Sequence, residues 1–192
     1  APNWFSLSDR DLAACLYRRQ FLAEGGRPTD AQAQIARALG VEARVLPMTD
    51  SPVRTKVLTA AGRRDLQEYL IVDRGEPEVL GVELEGIESA EPTKEVLDAL
   101  RAAEAIVIGP SNPVISIGPI LAVPGMREAI AASHAPVVAV SPYVAGQVVK
   151  GPTERFMRAL GRPSTAAGVA SLYAGLIDAM VVDEGDPDAP PT

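Results

Sequence analysis

The sequence predicts an α/β domain with a mainly parallel sheet and an antiparallel hairpin excursion, and three observations predict it. Hydrophobic residues make up 47% of the 192 residues but aromatics only 4%. The core must therefore be Val, Leu, Ile and Ala, which suits strands buried beneath helices. Periodic segments run helix, strand, hairpin, then strand–helix–strand–helix, the order that builds at least part of a parallel sheet. Finally, Ala105 to Met126 carries no charged side chain, yet Pro110, Pro113, Pro119 and Pro124, with Gly109, Gly118 and Gly125, break it up. A membrane span of that length would not be punctuated in this way. The stretch reads instead as a strand at Ile106–Ile108, a polar turn and a helix.

The elements follow in order. Ser8 and Asp11 have the spacing of a capping box, and Leu12, Cys15, Leu16, Arg19 and Leu22 continue at helical intervals until Gly25-Gly26. Thr29 and Gln32 predict a second capping box, with its helix ending at Gly40. Val41, Ala43 and Val45 alternate with polar neighbours and predict a strand, followed by the loop Pro47–Pro52. Alternation at Val53–Thr59 and again at Leu66–Val72, about a turn at Ala60–Gly62, predicts a hairpin. Val79–Leu84 reads as another strand. A helix is expected from Pro92. After the central stretch come a helix at Met126–Ser133, a buried strand at Val137–Val140, helices at Pro152–Leu160 and Ser164–Leu176, and a last strand at Met180–Asp183. Residues 1–184 show no internal repeat or boundary and are expected to form one domain. The acidic, proline-rich residues 185–192 are expected to fray.

Composition excludes several functions. Lys and Arg number 18 against 25 Asp and Glu, for a net charge of −7, and no basic block is present, so nucleic acid is not an expected partner. One cysteine, Cys15, rules out an internal disulfide, and one histidine, His134, argues against a His-based metal site. With no signal peptide or transmembrane segment, the expected compartment is the cytoplasm, without membrane association.

Three polar loops follow predicted strands: Met48–Ser51, Gly109–Asn112 and Ser141–Gly146. In an open parallel sheet such loops line one crevice at the strand carboxyl ends. Asn112 suits an N-cap and Pro113 an N1 position, so amide donors beside Gly109, Pro110, Ser111 and Asn112 would favour an anion. A plain capped turn has the same pattern. Asp50 fits a metal ligand or general base, and equally an Asx-turn before Pro52. Ser141 fits a pocket wall or a simple turn initiator. Arg10 is a cation at the positive end of a helix dipole, which an anionic partner such as Asp9 or Asp11 would explain. Lys150 fits a phosphate contact or a solvated loop. No Walker A loop, zinc signature or Ser–His–Asp pattern is present.

The segments GPSNPVISIGPILAVPGMREAI, APVVAVSPYVAG and KGPTERFMRALG, with WFSLSDRDLA and VLPMTDSPVRT, resemble the CofD/FbiA transferases over residues 3 to 184. The resemblance implies a Rossmann-like three-layer sandwich, a homodimer and a role in coenzyme F-420 biosynthesis. It also implies transfer of a phospholactyl or phosphoenolpyruvyl group from a guanosine diphosphate-type donor to the deazaflavin Fo, with GMP leaving and Mg2+ required. By the same resemblance Gly109, Pro110, Ser111, Asn112, Ser116 and Ser141 would serve the donor. Arg10, Asp9 and Thr49 would face the deazaflavin, Asp50 would be catalytic, and the metal ligands would lie mostly before Ala1, with the family's first strand and glycine-rich loop. Ser8 stands where the family commonly has Gly, Cys15 for His, Gln20 for Glu, Tyr143 for Ile and Ala145 for Gly. The alternative is a YvcK-like regulator that binds a nucleotide-sugar without catalysis. The Ser111–Pro113 and Ser116–Pro119 runs favour the transferase.

Overall fold

A computed structural model describes residues 4–149 and 151–187. Lys150 and the terminal residues 188–192 lie outside the described residues. The chain opens with helices α1 (Asp9–Ala23) and α2 (Pro28–Ala38). Strands β1 (Arg54–Thr59), β2 (Gly62–Asp65) and β3 (Gly81–Glu85) form an antiparallel sheet in the order β2-β1-β3. Helix α3 (Lys94–Arg101) leads to β4 (Ile106–Ile108). Helices α4 (Ile117–Ala122) and α5 (Met126–Ala131) precede β5 (Val137–Val140). A small hairpin, β6 (Tyr143–Val144) and β7 (Gln147–Val148), then gives way to α6 (Thr153–Ala159), α7 (Ala166–Leu172) and β8 (Ala179–Val181). Strands β4, β5 and β8 form a parallel sheet in the order β4-β5-β8. The α/β class with a parallel sheet and an antiparallel excursion is thus present. No helix among the described residues is long and apolar enough to cross a membrane.

One core serves both sheets. Val57 of β1, Ile108 of β4, Val137 and Ala139 of β5, Phe156 and Met157 of α6 and Val169 of α7 belong to a single buried cluster. Tyr69 and Phe156, both fully buried, meet edge-on at 5.8 Å. Asp178 fixes the parallel register at its start. Its carboxylate accepts from Val137 N at 2.7 Å while its own N–H donates to Val137 O at 2.8 Å.

Four local expectations need correction. Val41–Val45 is not a strand; its valines are exposed, and among the described residues no strand pairs with them. Alternation without a partner does not make a ladder. The return strand at Leu66–Val72 is replaced, beyond β2, by a π-helical turn at Glu68–Val72. The side chain that goes inward there is Tyr69, out of phase with the expected apolar set, and its hydroxyl lies 3.0 Å from the Gly75 carbonyl and 2.9 Å from that of Pro77. The Thr29–Gln32 capping box is absent: α2 starts with Pro28 at N1, and the carboxylate of Asp50 accepts from Thr29 N. Residues 185–187, expected in the tail, are held: Asp186 is buried and accepts from Gly146 N at 2.6 Å. The first capping box forms as expected, with Ser8 Oγ accepting from Asp11 N and Ser8 N donating to Asp11.

Candidate functional site

Ile108 pairs with Ala139 across β4 and β5, so the Gly109–Asn112 and Ser141–Gly146 loops leave adjacent parallel strands at the same edge. That edge is where an open α/β sheet places its ligand crevice.

The first loop is organised by Asn112. Its Oδ1 accepts from Val114 N at 2.9 Å and Ile115 N at 3.1 Å, and its carbonyl accepts from Ser116 N at 3.1 Å and Ile117 N at 3.0 Å. Asn112 therefore caps the turn, as its type suggests, although Pro113–Ser116 is a turn and α4 begins only at Ile117. Its Nδ2 donates to Thr153 Oγ1 at 3.1 Å, and Thr153 is 1% exposed at the start of α6. The amides that the sequence offered to an anion are largely spent within the turn. Ser111 N is also used, on Gly109 O at 2.8 Å. Helix α4 has six residues, so its dipole is short. What stays open is the exposed Ser111 hydroxyl, the exposed Pro110 ring and the N–H of Asn112, which has no acceptor among the described residues. Ser116 is exposed and its side chain makes no capping bond.

The second loop is tied down more firmly. Ser141 is 5% exposed; its N–H donates to Val181 O at 2.9 Å and its Oγ accepts from Tyr143 N at 3.1 Å. It acts here as the turn initiator. Ala145 and Gly146, at φ +49 and +73, make a tight turn that two carboxylates clamp. Asp183 Oδ1 accepts from Ala145 N at 3.2 Å and Gly185 N at 2.9 Å, and Asp186 takes Gly146 N. A Cβ at Gly146 would stand 3.2 Å from the Pro187 ring at a φ that disfavours side chains.

The third loop does not follow a strand of the parallel sheet. Asp50 Oδ1 accepts from Thr29 N at 2.8 Å and Thr29 Oγ1 at 2.7 Å, while Oδ2 takes Arg27 Nε at 2.9 Å. Arg27 also forms a bidentate pair with Glu95, both bonds at 3.0 Å. Hydrogen bonding from Arg27 holds the Glu95 carboxyl at about 2, and the Glu95 and Asp50 side chains raise Arg27 above its ordinary value. Both Asp50 oxygens are engaged in holding Thr29 and Arg27, with Oδ2 accepting one bond and Oδ1 two. Thr49 is buried and accepts from Ser51 N at 3.1 Å. Between α2 and the 41–46 segment lies an open cavity of about 710 Å³ that Asp30, Arg37, Arg44 and Glu95 line.

Arg10 is exposed on α1 and lines a groove of about 580 Å³ between α1 and α2, with Ala13, Ala14, Tyr17, Ile35 and Leu39. The groove has mixed walls, alanines alongside Tyr17, Ile35 and Leu39, and Arg10 is the charged residue that lines it. Asp9 is exposed beside it, and Asp11 is taken by Ser8. Among the described residues no three His, Cys, Asp or Glu side chains converge to hold a metal ion. The described residues do not by themselves fit a magnesium site.

Sequence reading missed Thr153, Asp183, Asp186, Arg27 and Glu95. Each acts through a partner at least 23 residues away, and only the acidic type of the Asp residues hinted at capping.

A family model described as 2-phospho-L-lactate transferase CofD matches residues 3–191. The chain is 41% identical over 180 residues to a 2-phospho-L-lactate transferase of Methanosarcina mazei, covering 94% of this chain and 59% of that protein. It is 40% identical over 193 residues to a phosphoenolpyruvate transferase of Streptomyces griseus, covering 98% of this chain and 61% of the relative. It thus spans about three fifths of the length of the relatives it matches. In fold it is similar to a crystal structure of a UPF0052-family protein from Bacillus halodurans, with a TM-score of 0.62 at 22% identity over 91% of this chain and 53% of that one. With its strand-end loops and a family match that runs over residues 3–191, the chain belongs to the CofD family of 2-phospho-L-lactate transferases.

Proposed function

We propose that the protein carrying this chain transfers a phospholactyl or phosphoenolpyruvyl group from a guanosine diphosphate-type donor to the deazaflavin Fo. GMP is released, in coenzyme F-420 biosynthesis. The observation that carries the reading is the pair of polar loops at the common carboxyl edge of β4 and β5, in a chain of the CofD family. Its relatives include both 2-phospho-L-lactate and phosphoenolpyruvate transferases, so both donors belong to the proposal. A magnesium ion, supplied with ligands from outside the described residues, and a homodimer are parts of the same proposal.

The chemistry asks for little covalent participation. The Fo ribityl hydroxyl attacks the donor's β-phosphorus, the bond to the bridging oxygen breaks so that GMP leaves with that oxygen, and the hydroxyl proton passes to solvent water. Positioning and charge neutralisation supply most of the rate. In this reading Ser111 Oγ and Asn112 N–H donate to the donor's diphosphate oxygens. Asn112, through Thr153 and its four turn amides, keeps that backbone in place. The Arg10 groove receives the planar deazaflavin, with Asp9 beside Arg10; buried Thr49, next to the Asp50 that bonds the start of α2, does not line this groove.

Ser111→Ala tests the assignment. It removes one hydroxyl donor and no internal bond of the turn, so the donor KM rises roughly tenfold, the scale of one lost hydrogen bond to a charged group. The KM for Fo stays within twofold. An unchanged donor KM refutes the role given to Ser111.

A further inference from the structure

A smaller cavity, of about 270 Å³, lies behind the strand-end turn, between β3, α4, α6 and α7. Val82, Leu84, Val114, Leu121 and Leu172 give it an apolar wall, and Arg127 is its one charged lining residue. The guanidinium is held in place by a single bond, Nη2 to the Leu172 carbonyl at 2.8 Å. Among the described residues no carboxylate pairs with it. A half-buried cation with donors left over, in an apolar setting, is costly unless an acceptor meets it. Tyr173 also lines the cavity, is 2% exposed, and its hydroxyl has no hydrogen-bond partner among the described residues. The two groups are close enough that the positive charge on Arg127 acts on the Tyr173 hydroxyl, though burial still pushes that hydroxyl up to about 12. Tyr173 therefore remains a neutral donor at any physiological pH.

We propose that this cavity binds a small carboxylate with an apolar body, using the Arg127 guanidinium and the Tyr173 hydroxyl to hold the anion and the aliphatic walls to hold the rest. The volume falls below the ~300–1,000 Å³ of drug-sized sites, so the ligand carries only a short chain or a single ring. An inorganic anion would satisfy Arg127 but leave the apolar wall unfilled. Pro113 and Gly118 line the same cavity, so an occupant touches the back of the turn that Asn112 organises. The site makes no use of the transferase chemistry, and either reading can fail without the other.

The test is a titration of the 192-residue chain with benzoate, benzamide and inorganic phosphate, followed by the backbone amide signals of Gly118 and Leu172. Benzoate is expected to shift both signals saturably. Benzamide, equal in shape but neutral, binds at least about tenfold more weakly, the scale of a charge-assisted hydrogen bond, and phosphate leaves the signals in place. Arg127→Gln, which keeps an amide donor for the Leu172 carbonyl, costs benzoate a similar factor, and Tyr173→Phe costs less. Equal binding of benzoate and benzamide to the wild-type chain overturns the proposal whether or not Arg127→Gln folds. So does the absence of a saturable shift, a response to phosphate as strong as that to benzoate, or unaltered benzoate affinity in folded Arg127→Gln.

Discussion

Asn112 shows how one side chain of an expected ligand site can be mostly structural. Its Oδ1 and Nδ2 make three bonds inside the protein, two to turn amides and one to buried Thr153. The cap was legible from an Asn before a Pro, because capping is local. The anchor was not, because Thr153 is 41 residues away and nothing in its neighbourhood marks it. Thr153→Val keeps the shape but removes the acceptor, leaving Nδ2 unpaired in a part-buried site. A loss of roughly 1–3 kcal/mol in urea unfolding is expected, and Thr153→Ser should recover most of it. In the transferase assay the Val variant raises the donor KM while the Ser variant does not. Equal stability of the Val and wild-type proteins would show that the bond contributes nothing. Asp50 teaches the complementary lesson. The sequence left it open between chemistry and turn formation, and the structure uses both oxygens to start α2 and hold Arg27.

Secondary elements divide by whether their signal needed a partner. Helix α1 began at its capping box and ended by Gly25, both local chemistry. Strands β4 and β5 were legible as short apolar runs between turn residues. The expected strand at Val41–Val45 failed because alternation describes a side-chain pattern and says nothing of a neighbouring backbone. Leu66–Val72 failed because Tyr69 took the core position that alternation assigned to its neighbours. Helices α2 and α3 are joined near their starts by Arg27, Asp50 and Glu95, and this junction makes a pH prediction. Glu95 is held at about 2 by Arg27, below its ordinary 4.5. A lowered folded-state value contributes stability above the unfolded value, and that contribution is lost as pH falls towards 2. The pair is solvent-exposed and its contribution modest. The stability gap between wild type and Glu95→Gln, from urea midpoints, should be constant above about pH 5 and shrink between about pH 5 and 2. A gap that is flat across that window would mean that the ion pair does not form in solution.

Across the molecule, fold class was legible because an aliphatic, aromatic-poor composition and the element order both pointed to a parallel sheet. The sharing of one core between the parallel and antiparallel sheets was not, since Tyr69, Phe156 and Val57 come from three separate segments. Most of the candidate crevice was equally legible: two of the three polar loops do sit at adjacent strand ends, while the third packs on α2 and α3. Residue order within Gly109–Ile130 carried more functional information than any single side chain, and it agrees with the family match over residues 3–191. The central claim is the group transfer itself. The most direct measurement incubates the purified intact protein with Fo, magnesium and each guanylated donor, and resolves the products by chromatography and mass. The transferase reading predicts GMP and the phospholactyl or phosphoenolpyruvyl deazaflavin in equal amounts, with GMP release dependent on Fo. Neither product with either donor, together with tight binding of a UDP-sugar, would contradict it and favour the nucleotide-sugar-binding regulator.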